Sequence, residues 1–516
     1  MSQSTHPGGR QLVWFKRDLR VVDHAPLMEA ALAGPVTCLY ILEPALMAGP
    51  DMAGRHYGFL AESLRDLHRQ LASLGGRLHV VTGETVEVLD RLHHEHPIHG
   101  LWSHEETGNA WTYARDRAVS RWCRERGVPW HQAQQFGVVR ALSDRDEWAG
   151  RWEAFMGSPQ RISAARIEWA DLGWPQQRLP DAEALGLPAD PCPGRQRGGR
   201  ALGLAVLEEF LEQRSGAYRG GISSPLSAPT ACSRLSPYLA LGCLGMREVV
   251  QATRTTLAGL EEGDRRRRGL AAFVSRLHWH CHFIQKLESE PEIEWRNMHR
   301  GYDGLREEDW SDERFTALRE GRTGWPLVDA VVAMLRETGW INFRMRAMLV
   351  SVAAYPLWLH WPRVGHWLAG QFTDYEPGIH WSQMQMQSGT TGINTTRVYN
   401  PLKQARDHDP EGRFVRRWLP QLERVPDSWL FEPWRMPRSL QEQVGVHVGR
   451  DWPEPPLDLE IALREAKARM HAWRGRPEVR AGKAGVVHRH GSRKKMTGAR
   501  LGSRRPAGQY SLDLSD

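Results

Sequence analysis

No stretch of this 516-residue chain stays apolar for the ~20 residues that a membrane-spanning helix needs, and the longest runs, such as Ala347–Leu359, fall short. Residues 1–10 contain no apolar segment of the kind a secretory signal requires, so a cytoplasmic chain without membrane contact is expected. Cysteine is sparse and scattered. Cys38, Cys123, Cys192, Cys232, Cys243 and Cys281 form no C-x-x-C pair, which argues against a disulfide framework and against a Cys-ligated iron–sulfur cluster. Phosphate and acyl-transfer signatures are missing too. No G-x-G-x-x-G follows the first strand, so the sheet domain lacks a dinucleotide fingerprint. The P-loop pattern and the G-x-S-x-G elbow are also absent, which removes the best support for P-loop ATPases and elbow hydrolases. Glu105 and Glu106 are adjacent on a strand and point to opposite faces, so they make no facing acid–base pair.

What is present divides the chain in four. Residues 1–138 alternate apolar strands (Gln11–Lys16, Pro35–Ile41, Leu78–Val80, Ile98–Ser103) with helical segments (Ala25–Ala33, Tyr57–Leu74), the pattern of a doubly wound parallel α/β sheet. Residues 139–205 are rich in Pro, Gly, Arg and Asp and read as a long exposed connector. Residues 206–465 carry helical periodicity over Val206–Arg214, Met246–Thr255, Leu270–Leu287, Pro326–Glu337, Trp340–Leu357 and Trp361–Phe372, predicting an all-helical domain. Residues 466–516 form a basic tail in which packing is not expected. That tail concentrates the charge. Ala466–Arg505 holds thirteen lysines and arginines against one acid, Glu478, so the rest of the chain is net negative although the whole is +7. The tail is either a solvated extension or a set of salt-dependent phosphate contacts.

Polar residues in apolar surroundings mark the candidate site. Arg344 and Arg346 on one helix need carboxylate partners if buried, and Asp374 and Glu376 follow the helix that carries Trp361. The pairing reads either as a structural tie or as a charge pair beside a redox-active ring. Tyr218 and the Ser233–Ser236 segment combine hydroxyls with a helix start that favours a phosphate, although any helix can begin with serine. Twenty-three tryptophans serve as core filler, interface anchors or an electron-hopping relay. His278 and His282 share a helix face at i and i+4, but no third ligand stands at a recognisable spacing, so no metal is assigned. The Arg265–Arg268 run reads as a solvated surface or as part of a phosphate track.

Taken in order, Val13–Arg20 with Asp23, Ser233–Leu239 with Gly242, Thr323–Asp329, Thr338–Trp340 with Arg344 and Arg346, Asp374–Glu376, Tyr399–Gln404 and Asp409–Pro420 resemble the cryptochrome/photolyase family over about residues 11–435. The resemblance implies a helical domain holding FAD and an α/β domain with room for a second, antenna chromophore of unspecified identity. Tyr218, Ser233, Arg234, Leu235 and Ser236 then look like the phosphate and ribityl shell. Arg344 looks like a cavity residue, Arg346 with Asp374 the pair beside the isoalloxazine, Glu376 the second acid of the flavin loop, and Trp361 the middle ring of a tryptophan relay. Three departures accompany these matches. His380 stands where many members have Asn facing flavin N5, and an imidazole there would gate radical protonation near neutral pH. Met384 and Met386 replace the usual Trp-x-Trp. Arg276–His280 replaces Glu-x-x-Trp-Arg, keeping Trp279 to stack on a flipped base and leaving His280 and His282 as proton donors. The implied activity is light-driven electron donation to a UV-induced pyrimidine photoproduct by a deoxyribodipyrimidine photolyase-like lyase. The alternative is a blue-light sensor that photoreduces FAD without repair. Expected partners are UV-damaged DNA, or a signalling protein in the second case, for a chain acting as a monomer.

Overall fold

A computed structural model describes residues 8–161, 166–175, 178–393 and 397–491. Five strands, β1 (Gln11–Phe15), β2 (Val36–Leu42), β3 (Leu78–Thr82), β4 (Gly100–His104) and β5 (Trp130–Ala133), form one parallel sheet in the order β3-β2-β1-β4-β5. Gln11 pairs with Val36 on one side and Gly100 on the other. Every residue of β1, β2 and β4 is buried, as a sheet covered on both faces requires. The covering helices α1 (Ala25–Ala33), α2 (Gly54–Ser73), α3 (Thr85–Glu95) and α4 (Ala110–Arg126) include both helices read from the sequence. Strand β5 was not legible there, because Trp-His-Gln-Ala at a half-exposed edge carries no alternation.

The order of strands reverses between β1 and β4, and a crevice opens where their carboxyl ends diverge. A buried hub ties that point together. Asp18 Oδ2 accepts from His24 Nε2 at 2.9 Å and from His104 Nδ1 at 2.7 Å. Leu27 N–H donates to His24 Nδ1, which fixes the proton on Nε2 and makes the trio a hydrogen-bonded cluster. Burial and the neighbouring His24 push His104 down to about 3, so its ring is neutral.

The connector corrects the sequence reading. Helix α5 (Trp148–Gly157) lies within it, and Trp148, Trp152 and Met156, spaced by four, bury one face against the core. Helix α6 (Arg200–Glu209) then opens the helical domain, which is arranged around α7 (Met246–Gly259), α8 (Arg266–Ser289), α9 (Pro326–Thr338), α10 (Phe343–Ala354), α11 (Trp361–Gln371) and α12 (Pro377–Ser388). The helix predicted from Trp340 starts at Phe343. Gly339, at φ +63°, ends α9 in a conformation that glycine adopts without strain, and a Cβ there would strike the Thr373 hydroxyl.

The second correction concerns the tail. Helices α13 (Leu459–Arg474) and α14 (Pro477–His490) are folded against the body, with Ala466, Met470 and Val479 buried beside Tyr302, Tyr355 and Trp358. An apolar stripe at Leu459, Leu463, Ala466 and Met470 drives this packing beneath a charged exterior. His490 and Arg489 both donate to Glu290 just past α8, at 2.6 and 2.7 Å. The remainder of the tail, residues 492–516, lies outside the described residues.

Candidate functional site

A cavity of about 340 Å³ lies in the helical domain, bounded by α8, α10 and α12, the Tyr218–Ser236 segment and the Phe372–Glu376 loop. Its volume falls in the range of small-molecule sites. Tyr218, Ser233, Arg234 and Ser236 wall one part, and Arg344, Arg346, Asp374 and Glu376 another. Trp279, His280, His380 and Met384 also line it. Four sequence candidates are elsewhere, His282 among them. Leu235 is 1 % exposed and packs into the core, Trp361 is sealed behind the wall, and Met386 turns away. Met384 and Met386 separate because two residues on an α-helix differ by about 200°.

The charges on the wall are arranged in pairs. Arg346 Nη2 donates to Asp374 Oδ2 at 2.8 Å and Arg346 Nε donates to Ile341 O at 3.0 Å, with the guanidinium 4.1 Å from the Phe372 ring centre. Burial would raise the Asp374 carboxyl, but Arg346 holds it below its ordinary range. Glu376 Oε2 accepts from Arg17 Nη2 at 2.6 Å, joining the cavity loop to the end of β1. Burial raises Glu376 despite this partner. Arg17 was read only as part of a motif; its side chain, which also donates to Ala240 O, ties the two domains. Arg234 is in the left-handed region at φ +60°, and its guanidinium sits 3.9 Å from the Trp340 ring centre. Burial pushes Arg234 down to about 10 against the opposing pull of Asp374, and among the described residues no carboxylate is in salt-bridge contact with it.

The histidines correct two expectations. His380 Nε2 and Gly365 O are hydrogen-bonded at 2.9 Å, and burial pushes the imidazole down to about 4. It is therefore neutral across the physiological range and does not titrate near pH 7. Burial and Arg17 push His280 to about 4 as well. His282 leaves the site altogether, its ring packed on Trp148 and Trp279. His278 stands against Trp148 and Trp152 at 4.8 and 4.9 Å, so the i, i+4 pair is embedded in indoles. Of the Arg265–Arg268 run, Arg266 pairs with Asp264 at 2.7 Å on the surface.

The cavity wall is chemically unfinished. Asp374 Oδ1, Glu376 Oε1, His280 Nδ1 and Gln383 Nε2 are buried without a protein partner. Buried polar atoms are normally satisfied, so this donor and acceptor set fits a polar ligand that meets them from inside. Behind His380, the Trp381 ring lies 4.8 Å from the imidazole and 6.0 Å from Trp361, whose indole N–H donates to Asn297 Oδ1.

A smaller cleft of about 110 Å³ opens at the sheet crevice, between the two domains. Arg115 fills its floor, bonded to Glu43 at 2.8 Å and Glu106 at 2.5 Å.

A parallel-sheet domain latched to a helical domain, whose mainly apolar cavity carries a few charged and polar groups on its wall, defines a two-domain architecture with room for a small-molecule ligand. Residues 11–142 match the family model described as DNA photolyase, and residues 273–472 match the FAD binding domain of DNA photolyase. A deoxyribodipyrimidine photo-lyase of Streptomyces griseus is 30% identical over 90% of this chain and 99% of its own length. A cryptochrome DASH of Gloeobacter violaceus is 29% identical over 87% of this chain and 93% of its own. The crystal structure of a bacterial class III photolyase from Agrobacterium tumefaciens superposes with a TM-score of 0.79 at 25% identity, covering 92% of this chain and all of that one. The chain belongs to the cryptochrome/photolyase family. Among its described residues no helix is long and apolar enough to cross a membrane.

Proposed function

We propose that this chain holds FAD in the helical-domain cavity and uses blue light to repair a UV-induced pyrimidine photoproduct in DNA. Bound FAD supplies the light-driven one-electron chemistry, in which the electron given to the lesion returns after the bond splits and no net redox change remains. The observation that carries the reading is the Arg346–Asp374 pair on the wall of the helical-domain cavity, next to buried polar atoms that no protein group satisfies.

The residues divide the work by chemistry. Arg234, a half-buried cation with no carboxylate in salt-bridge contact among the described residues, together with Ser233, Ser236 and the Tyr218 hydroxyl, suits the anionic phosphate and hydroxyl-bearing end of FAD. Arg346 and Asp374 suit the isoalloxazine ring, one offering donors and the other an acceptor. His380, neutral and anchored to Gly365 O, orients a ring nitrogen as a hydrogen-bonding partner rather than as a proton source. Trp279 offers a stacking surface for an extruded base. Arg276 and Gln383 line the same region and contribute N–H donors, which suit the carbonyl oxygens of a pyrimidine. His280 meets the substrate as an uncharged imidazole. Trp361 contacts Trp381, which in turn contacts His380 on the cavity wall.

One observation favours the sensor reading. The C-terminal helix α14 is latched to Glu290, at the end of the helix that carries Trp279 and His280, so a change at the cavity has a mechanical path to the surface. Oligonucleotides carrying defined cyclobutane or (6-4) lesions, incubated with the purified protein in blue light and in darkness, test the proposal. Light-dependent restoration of either substrate supports repair. Photoreduction of the flavin with no repair of either lesion supports the sensor, and a colourless protein rules out both.

A further inference from the structure

Tyr218, Trp279, Trp340 and Tyr375 are the oxidisable rings on the described cavity wall. They differ in what surrounds them. Arg276 sits beside the Tyr218 hydroxyl, and a guanidinium accepts no proton. Trp340 carries the Arg234 guanidinium 3.9 Å from its centre, which opposes positive charge on the indole. Trp279 packs on His282 and Phe283. Tyr375 alone has a carboxylate to receive its proton. Its O–H donates to Asp51 Oδ2 at 2.8 Å, and that oxygen also accepts from Asn109 Nδ2 at 2.9 Å. Asp51 is 3% exposed, so the bond is shielded from water. Trp381 and Trp361 stand behind His380 rather than on the wall.

We propose that Tyr375, with Asp51 as its proton acceptor, is the residue that reduces the light-excited oxidised flavin in this chain. The proposal rests on the FAD reading above. One electron leaves the Tyr375 phenol for the flavin, and the phenolic O–H bond breaks as its proton passes along the hydrogen bond to Asp51 Oδ2. A neutral tyrosyl radical and a protonated carboxyl remain, so charge and atoms balance within the protein and the flavin. Moving the proton with the electron avoids a phenol radical cation in a poorly solvated site, where an uncompensated charge is expensive. Tyr375 lies between Asp374 and Glu376 and also walls the interdomain cleft, so the donor sits on the loop that positions the flavin ring.

The test uses the full chain with its bound flavin, illuminated from the oxidised state and followed by flavin absorbance and by electron paramagnetic resonance. The parent protein is expected to give a tyrosyl signal that narrows when it is grown on ring-deuterated tyrosine. Photoreduction should also slow in deuterated water. Tyr375→Phe should lose that signal and reduce its flavin about tenfold more slowly or worse. Asp51→Asn keeps an acceptor for the hydroxyl but removes the base, and should show the same kinetic loss with its flavin still bound. Trp381→Phe should retain the tyrosyl signal. An indole radical in the parent that Trp381→Phe or Trp361→Phe abolishes, or a Tyr375→Phe protein with parental rate and spectrum, overturns the assignment. Flavin content separates the two levels: a yellow protein with unchanged Tyr375→Phe kinetics refutes only the donor, whereas a colourless parent refutes the cofactor reading as well.

Discussion

Asp374→Asn removes one charge from the cavity wall while keeping the shape and an acceptor for Arg346. The partners are 2.8 Å apart, with side chains 3% and 24% exposed. At an effective dielectric of about 20, their attraction is about 6 kcal/mol. Most of that is offset by the cost of taking both groups out of water, and the amide oxygen still receives the Arg346 N–H. A net loss of about 2–3 kcal/mol follows, below the roughly 3–5 kcal/mol for deleting one partner of a buried pair outright. Urea unfolding of the purified protein measures it. Adding Arg346→Gln to Asp374→Asn should cost little more, because the cation left without a counter-charge is gone; that non-additivity isolates the pair. The same variant should change the spectrum of the photoreduced flavin, since an acidic neighbour of the ring has become neutral. An Asp374→Asn protein with the parental unfolding midpoint and photoreduced spectrum would refute the placement of this pair beside the cofactor.

Lys286 is 7% exposed, and burial, reinforced by Arg145, pushes it down to about 7 from its ordinary 10.5. Between those values the unfolded chain holds a proton that the folded chain lacks, so stability should rise with pH across the window, by at most about 1.4 kcal/mol per unit. Lys286→Met should flatten that slope, and parallel pH–stability curves for the two proteins would refute the burial argument. Met470→Ala opens a cavity under α13 and should cost about 2–5 kcal/mol locally. Limited proteolysis should then release the C-terminal helices sooner, whereas equal cleavage rates would mean that they are not held by packing. Trp279→Ala should weaken binding of lesion-bearing DNA by about 1–3 kcal/mol relative to undamaged DNA, read by titration. An equal loss for both DNAs would remove Trp279 from base recognition.

The strands β1 and β2 and the helices α1 and α2 were legible because local patterning is enough where a whole element is apolar or strictly periodic. Part of the cavity wall was marked in the same way. Ser233, Arg234, Arg344, Arg346, Asp374 and Glu376 stand out in sequence as polar groups that an apolar domain must pair or use. Composition misled at the C-terminal end. The density of Lys and Arg after Glu465 hid the apolar stripe of α13, whose burial depends on the rings of Tyr355 and Trp358 more than a hundred residues earlier.

The order of charged and apolar residues along the chain therefore determined the sheet-then-helix layout and marked the polar groups that a largely apolar helical domain has to pair or use. Helix phase and long-range closure, which no local window contains, decided the rest. Phase turned Met384 onto the wall and Met386 off it, and set Trp361 one ring behind. Closure brought Asp51 to Tyr375 across 324 positions of sequence and Arg17 to Glu376 across 359, because packing one domain on the other places those groups in a shared, water-poor contact. A hydrogen bond between residues so far apart exists only once both cores have formed.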